Sequence, residues 1–213
     1  MEEQTVLLAA LMAGIVATTV TVLIEKYGGV LGGILGTIPT TIIPASIGMA
    51  SEGGNDALIV SLAIVPAGML INAIFLSVWA LLPDKLPKIW NQNSSLIFTS
   101  IISLIIWAIV GLFTIDIIDR AIDENYSPEE ISIVGLVLVA TLGIVMCWNL
   151  KPAPKGKNSV SKKILAARGI VAAMAIGIAV LISSLGMPLL AGLASVFPAI
   201  FLTSMIALWL AQG

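Results

Sequence analysis

Six stretches of the chain are apolar over a membrane-crossing length: 5–24, 57–82, 95–115, 131–150, 166–187 and 188–210. About 20 such residues cross the hydrocarbon core of a bilayer as a helix, so each stretch predicts one transmembrane helix. A seventh segment, 28–51, is equally free of charge but reads differently. It contains the run GTIPTTIIPASIG (36–48), with two prolines, two glycines and four hydroxyl side chains. Two readings stand: a full crossing interrupted by proline, or a re-entrant loop that enters and leaves on one side. We expect the crossing, hence seven spans.

Charge sets the orientation. Lys151, Lys155, Lys157, Lys162, Lys163 and Arg168 cluster between the fifth and sixth stretches, so loop 151–165 is expected to be cytoplasmic. Loop 116–130 carries Asp116, Asp119, Asp123, Glu124, Glu129 and Glu130 against Arg120 and is expected outside. With seven crossings, every basic residue except Arg120 falls on the cytoplasmic side. Trp79, Trp90, Trp148 and Trp209 lie near the cytoplasmic boundaries, where indoles favour the interface, and Trp107 is the exception in mid-span. Arg168 and Asp116 sit at span ends, where a long side chain can reach the interface.

Within 28–51, Gly28, Gly32 and Gly36 recur every four residues beside Gly29 and Gly33. Such ladders let helix backbones approach closely in lipid. Pro39 and Pro44 each lack an amide hydrogen and obstruct a carbonyl one turn back, at Leu35 and Thr40. Gly33, Thr37, Thr40, Thr41, Pro44 and Gly48 share one helical stripe, small and polar, with Ser46 close by. The C-terminal segment AGLASVFPAIFLTSMIALWLAQG (191–213) resembles it. With Pro198 set on Pro39, Gly192 matches Gly33, Ser195 matches Gly36 and Ile206 matches Ile47. An apolar stretch precedes each copy. The single transmembrane domain 1–213 therefore carries a candidate internal repeat: 5–82, and a partial copy 166–213, with 95–150 connecting them. Five crossings separate the copies, so they are expected to be inverted. Inverted repeats with interrupted helices characterise secondary transporters. The second copy lacks a counterpart of 57–82, which points to a homo-oligomer or a second membrane chain as partner.

Composition narrows the chemistry. Of 213 residues, 59% are hydrophobic and 10% charged, which marks a membrane protein. The start Met1-Glu2-Glu3 does not read as a secretory signal. There is no histidine and one cysteine, Cys147. That excludes intrachain disulfides, histidine-based acid–base chemistry and metal sites of His or paired Cys, so no metal and no cofactor is expected. No nucleophile–base pair or phosphate-binding glycine motif appears, and the chain is not expected to be an enzyme or to bind nucleic acid. No charge lies at the centre of a span, which argues against a proton pump and favours a weakly charged solute or an ion held by oxygens. Asn72, near the middle of 57–82, either lines a pathway or bonds between helices. Glu52 and Asp56, beside Gly53-Gly54, stand at the expected entrance. The expectation is thus an all-α integral membrane protein of the plasma membrane, of about seven helices. It reads as a permease that passes a small solute or ion near Thr37, Pro39, Thr40, Thr41, Pro44, Ser46, Asn72, Ser195, Pro198 and Thr203. A non-catalytic membrane subunit and a channel are the alternatives.

Overall fold

A computed structural model describes residues 2–27, 38, 40–87, 89–148 and 162–212. Every regular element among them is helical: α1 (Glu2–Tyr27), α2 (Ile42–Ala63), α3 (Val65–Leu81), a short 3₁₀ turn (Pro83–Lys85), α4 (Gln92–Asp123), α5 (Pro128–Cys147), α6 (Lys162–Ser184), α7 (Pro188–Ser195) and α8 (Ala199–Gln212). Each of the six apolar stretches is helical over most of its described length, with breaks at Ile64 and at 196–198. Five helical segments are long and apolar enough to cross a membrane by themselves, and a sixth if α2 and α3 count together. The glycine ladder 28–36, Leu35, Thr37, Pro39, Lys88 and the lysines at 151, 155 and 157 lie outside the described residues, as does the path by which 28–37 would cross.

Small residues bring the helices together. α1 and α6 lie antiparallel, with Val6, Ala10, Gly14 and Thr18 along Gly177, Ala173 and Gly169, and a β-carbon on Gly14 would stand 3.0 Å from the Gly169 carbonyl oxygen. In lipid there is no hydrophobic force between helices, so close backbone approach of this kind supplies the adhesion. Two buried clusters result. One joins Ala9, Ala45, Met49, Ile176, Val180 and Ala191 from α1, α2, α6 and α7. The other joins Ile71, Phe75, Trp79, Trp107, Leu193 and Val196 from α3, α4, α7 and the turn after it. Large side chains such as Leu11, Ile109, Phe113, Val137 and Ile144 point outward, as expected of a surface solvated by lipid. Some buried hydroxyls are satisfied locally, as where Thr21 donates to the Ala17 carbonyl at 2.8 Å and Ser61 to that of Ala57 at 2.7 Å, whereas those of Thr99 and Ser183 have no partner among the described residues.

Chain direction matters for the site. Gly48 lies against Val180, and Gly53 against Ser183, so the first half of α2 runs parallel to α6. At Gly54 the backbone leaves the helix (φ +80°, ψ 175°), a conformation that favours glycine, and the chain reverses. α2 and α3 are bent by 43° across Ile64, but the reversal itself is at Gly54. From there the chain descends beside α7 and α8: Ser61 and Ile64 touch Gly192, Gly68 faces Val196, and Trp79 meets Trp209 with ring centroids 6.0 Å apart. α8 in turn runs antiparallel to α6. The two helices that follow the prolines, 42–53 and α8, therefore point in opposite directions.

Three expectations change. Loop 116–130 is mostly helix: α4 continues to Asp123, where Asp116 and Arg120 form an exposed ion pair at 2.8 Å, and only 124–127 connect to α5. Loop 151–165 is shortened likewise, because α6 begins at Lys162. Trp79, expected at the interface, is buried and packed edge-on against Trp209, whereas Trp90 and Trp148 are exposed. The tight connection before α5 is closed by a capping box. Ser127 accepts from the Glu130 amide, and the Glu130 carboxylate accepts from the Ser127 amide at 2.8 Å. Replacing Ser127 by Ala is expected to cost about 1 kcal/mol, read as a lower midpoint in a detergent thermal-unfolding series.

Candidate functional site

Both proline breaks have the same local form. The Thr40 amide donates to the Ile38 carbonyl at 2.7 Å, and the Ala199 amide to the Phe197 carbonyl at 2.7 Å. The second is a three-residue γ-type turn over Pro198, and a helix starts within two residues of each bond. The helix-opening bonds that follow, Ala45 N–H to Thr41 at 3.3 Å and Leu202 N–H to Pro198 at 2.8 Å, lie two residues apart in the Pro39–Pro198 register. Pro44 does not break a helix. It occupies the first turn of α2, where no amide donor is required, and is buried there.

The two turns meet at one cavity of about 50 Å³. Ile38, Thr40 and Thr41 form one wall, and 195–201 the opposite wall. Met69 and Asn72 of α3 and Ala172, Ala175 and Ile176 of α6 close the sides. Such a volume holds about four water molecules. Asn72 fixes the second turn. Its Nδ2 donates to the Val196 carbonyl at 3.0 Å, and its Oδ1 accepts from Trp107 Nε1 at 2.8 Å. Trp107 stacks edge-on against Phe197 at 5.4 Å. Asn72 is thus both the bridge between helices and part of the wall, so the two readings of this residue describe one arrangement. It also explains the one tryptophan placed in mid-span.

Hydrogen bonds around the second break use most of its carbonyls. Gly192 receives Ser195 Oγ at 2.6 Å, Leu193 the Val196 amide at 3.2 Å, and Ala194 the Phe197 amide at 3.1 Å. With Val196, Phe197 and Pro198 also bonded, the oxygens released by proline are consumed by protein donors. The Ile200 and Phe201 amides, in the first turn of α8, have no backbone acceptor among the described residues. The Thr40 hydroxyl is buried and without a hydrogen-bond partner there.

Five of the sequence-derived site residues, Thr40, Thr41, Asn72, Ser195 and Pro198, meet at this cavity. Thr37 and Pro39 lie outside the described residues. Pro44 is packed beneath the wall, and Ser46, half-buried, does not line it. Thr203 lies one turn further along α8 and holds Arg168. Glu52 borders a separate groove of about 740 Å³ with Gln4, Thr5 and Ser51 between α1 and α2. Asp56 is exposed and borders neither. Ala45, Met49, Ile176, Val180 and Ala191 fill the core on the side of the cavity nearer that groove.

Arg168 was missed. Expected at a span end, it has a side chain 4% exposed and turned inward, and its Nε donates to Thr203 Oγ1 at 3.1 Å. It lies one turn before Ala172 on the same face of α6. α6 starts at Lys162, which puts Arg168 nearly two turns inside it. No grouping of three or more His, Cys, Asp or Glu that could hold a metal occurs among the described residues. No family model matches this chain, and neither a curated protein nor a solved structure does.

Proposed function

We propose that the chain is a small membrane permease, with its solute passing between the two proline turns. The observation that carries this reading is the convergence on one cavity of two proline-containing breaks from oppositely directed segments. Interrupted helices that meet near the midplane of an inverted repeat are the usual site of alternating access. In this reading 5–82 and 166–213 are the two copies, there are seven crossings, and the protein sits in the plasma membrane. Residues 151–165 are then cytoplasmic and the 124–127 turn external. Access alternates as the α2 half of the site rocks against α7 and α8. Ala45, Met49 and Val180 seal one side, and the Arg168–Thr203 contact lies on the other.

Thr40 and Thr41 test it. The double replacement Thr40→Val and Thr41→Val removes two hydroxyls from the wall with little change of shape. Solute uptake into vesicles containing the purified chain is expected to fall at least about tenfold, the effect of losing roughly 1.4 kcal/mol of contacts, with the unfolding midpoint nearly unchanged. Unchanged uptake rejects the site.

A second reading is favoured by α5, whose span is only 6% buried and rests on one side of α3. Here the chain is a non-catalytic subunit that offers α5 to another membrane chain. Purification in mild detergent separates the two readings. Obligate recovery of a different chain supports the subunit, and a homogeneous homo-oligomer the permease.

A further inference from the structure

We propose that the wedge between α4 and α5 binds a lipophilic cation, an apolar chain or flat ring system carrying one ammonium group. The ammonium sits at Glu130 and Tyr126, and the apolar body lies between the helices. The site is separate from the cavity at the proline breaks and does not depend on the permease reading.

α4 and α5 are joined by residues 124–127 alone, yet α5 packs far more on α3 than on α4, and so does α4 on α3 than on α5. Gly135 lets α5 rest directly on α3, since a β-carbon there would stand 3.1 Å from Pro66 Cβ and from the Ala67 nitrogen. The two helices therefore straddle α3 and leave a cavity of about 480 Å³ between them. Leu70 and Ile74 of α3 form its floor, with Val110 and Ile117 of α4 and Val134 and Leu138 of α5 as walls. Thr114 adds no free polar group, because its hydroxyl donates to the Val110 carbonyl at 2.8 Å. Tyr126 and Glu130 stand together at one end. An apolar pocket with a few convergent polar groups is the usual form of a small-molecule site.

Size and charge select the occupant. The wedge follows α5 from Glu130 to Leu138, about 12 Å, and α4 from Ala121 to Val110, about 16 Å. Its mean cross-section is then about 30–40 Å², against roughly 80 Å² for a helix, so it admits a single chain and not a partner's helix. At the polar end, the last turns of α4 and the first of α5 carry Asp116, Asp119, Asp123, Glu124, Glu129 and Glu130 against Arg120, which Asp116 already pairs. Phosphate-bearing lipid heads are repelled there and an ammonium is attracted. Glu130 uses Oε2 to accept from the Ser127 amide at 2.8 Å, and its other oxygen has no hydrogen-bond partner among the described residues. The Tyr126 backbone is fixed at the same end. Asn125 takes a φ of 68°, its amide donates to Ile122 at 2.9 Å, and the Tyr126 amide donates to Ala121 at 3.0 Å. These are the two bonds of a Schellman helix end. A tyrosine ring attracts an alkylammonium through its π face, and the carboxylate adds a full charge.

The test uses the full chain in phosphatidylcholine nanodiscs and radiolabelled dodecyltrimethylammonium, with empty nanodiscs giving the background of simple partition. Saturable binding of one cation per chain is expected, weakening as salt is raised. Dodecanol and dodecyl sulfate, which share the chain but not the charge, are expected to bind at least tenfold more weakly. Glu130→Gln keeps an acceptor for the Ser127 amide and removes the charge, and should weaken the cation at least tenfold. Val134→Trp fills the wedge from an exposed position and should abolish binding. Dodecanol binding as tight as the cation means that the wedge takes any lipid chain, and overturns the cation. Cation binding indifferent to both Glu130→Gln and Val134→Trp overturns the place. Absence of saturable binding by the unmodified chain overturns the whole proposal, and neither that measurement nor the dodecanol comparison depends on a variant folding.

Discussion

Replacing Asn72 by Leu is expected to destabilise the protein by about 2–4 kcal/mol and to abolish solute uptake. Leu keeps the branching of Asn at Cγ and is larger, so no cavity forms, but two buried groups lose their partner. Trp107 Nε1 no longer has the Oδ1 acceptor at 2.8 Å, and the Val196 carbonyl no longer has the Nδ2 donor at 3.0 Å. Each stranded group costs about 1–3 kcal/mol when water cannot reach it, and interhelical bonds in membranes fall toward the lower end of that range. The functional loss is expected to exceed what stability explains, because Val196 belongs to the turn that opens the cavity. Trp107→Phe removes the donor and leaves the Val196 bond in place, so it should cost less than Asn72→Leu. In a double-mutant cycle the two changes should be non-additive by about 1 kcal/mol or more. Thermal unfolding in detergent and vesicle uptake check this together. Additive effects with normal uptake would show that Asn72 merely fills space.

Gly192→Ala is expected to be about as damaging, through geometry alone. A β-carbon there would fall on the Ser61 carbonyl oxygen and 2.6 Å from Ile64 Cγ2. Backbone cannot yield as a flexible side chain can, so α7 must move away from the α2–α3 junction. Overpacking of this kind costs about 1–3 kcal/mol, sometimes more, and Gly192→Val should prevent assembly. The displacement would also carry Val196 away from Asn72, so uptake should fail in any Gly192→Ala protein that still folds. Gly143→Ala is the control. Nothing lies within 4 Å of a β-carbon on α5 at that position, and the change should be neutral or slightly stabilising through helix propensity. If both variants unfold at the same temperature, the α7 contact does not limit packing.

The glycines show why much of the packing could not be read in advance. The ladder at 28–36 was the visible one, because its spacing repeats within one segment. The close approaches in the described structure are made by Gly14 with Gly169, Gly48 with Val180 and Gly192 with Ser61. Each involves two distant segments, and which small residue meets which depends on how helices pair. Arg168 teaches the same lesson. Counted as a basic residue beside a lysine-rich loop, it reads as an orientation signal. Its burial follows only from the start of α6 at Lys162 and from the face it shares with Ala172. Asn72 and Trp107, by contrast, are two polar side chains at mid-span. Helices 57–82 and 95–115 are joined by a short connection and must run antiparallel, so that pairing could have been drawn from the sequence.

What the amino-acid order determined without help was the helical class, the position of six apolar segments and the two points where proline forbids a continuous helix. These are local properties: length of apolar run, presence or absence of an amide hydrogen, and charge at the ends. The tertiary structure decided that the two interrupted segments face each other, that Asn72 and not a hydroxyl holds the second one open, and that the freed carbonyls are already bonded. It also turned Arg168 inward. Those outcomes depend on which helix faces touch, and in lipid that is governed by small differences in van der Waals fit between surfaces that are all apolar. One segment alone cannot specify them.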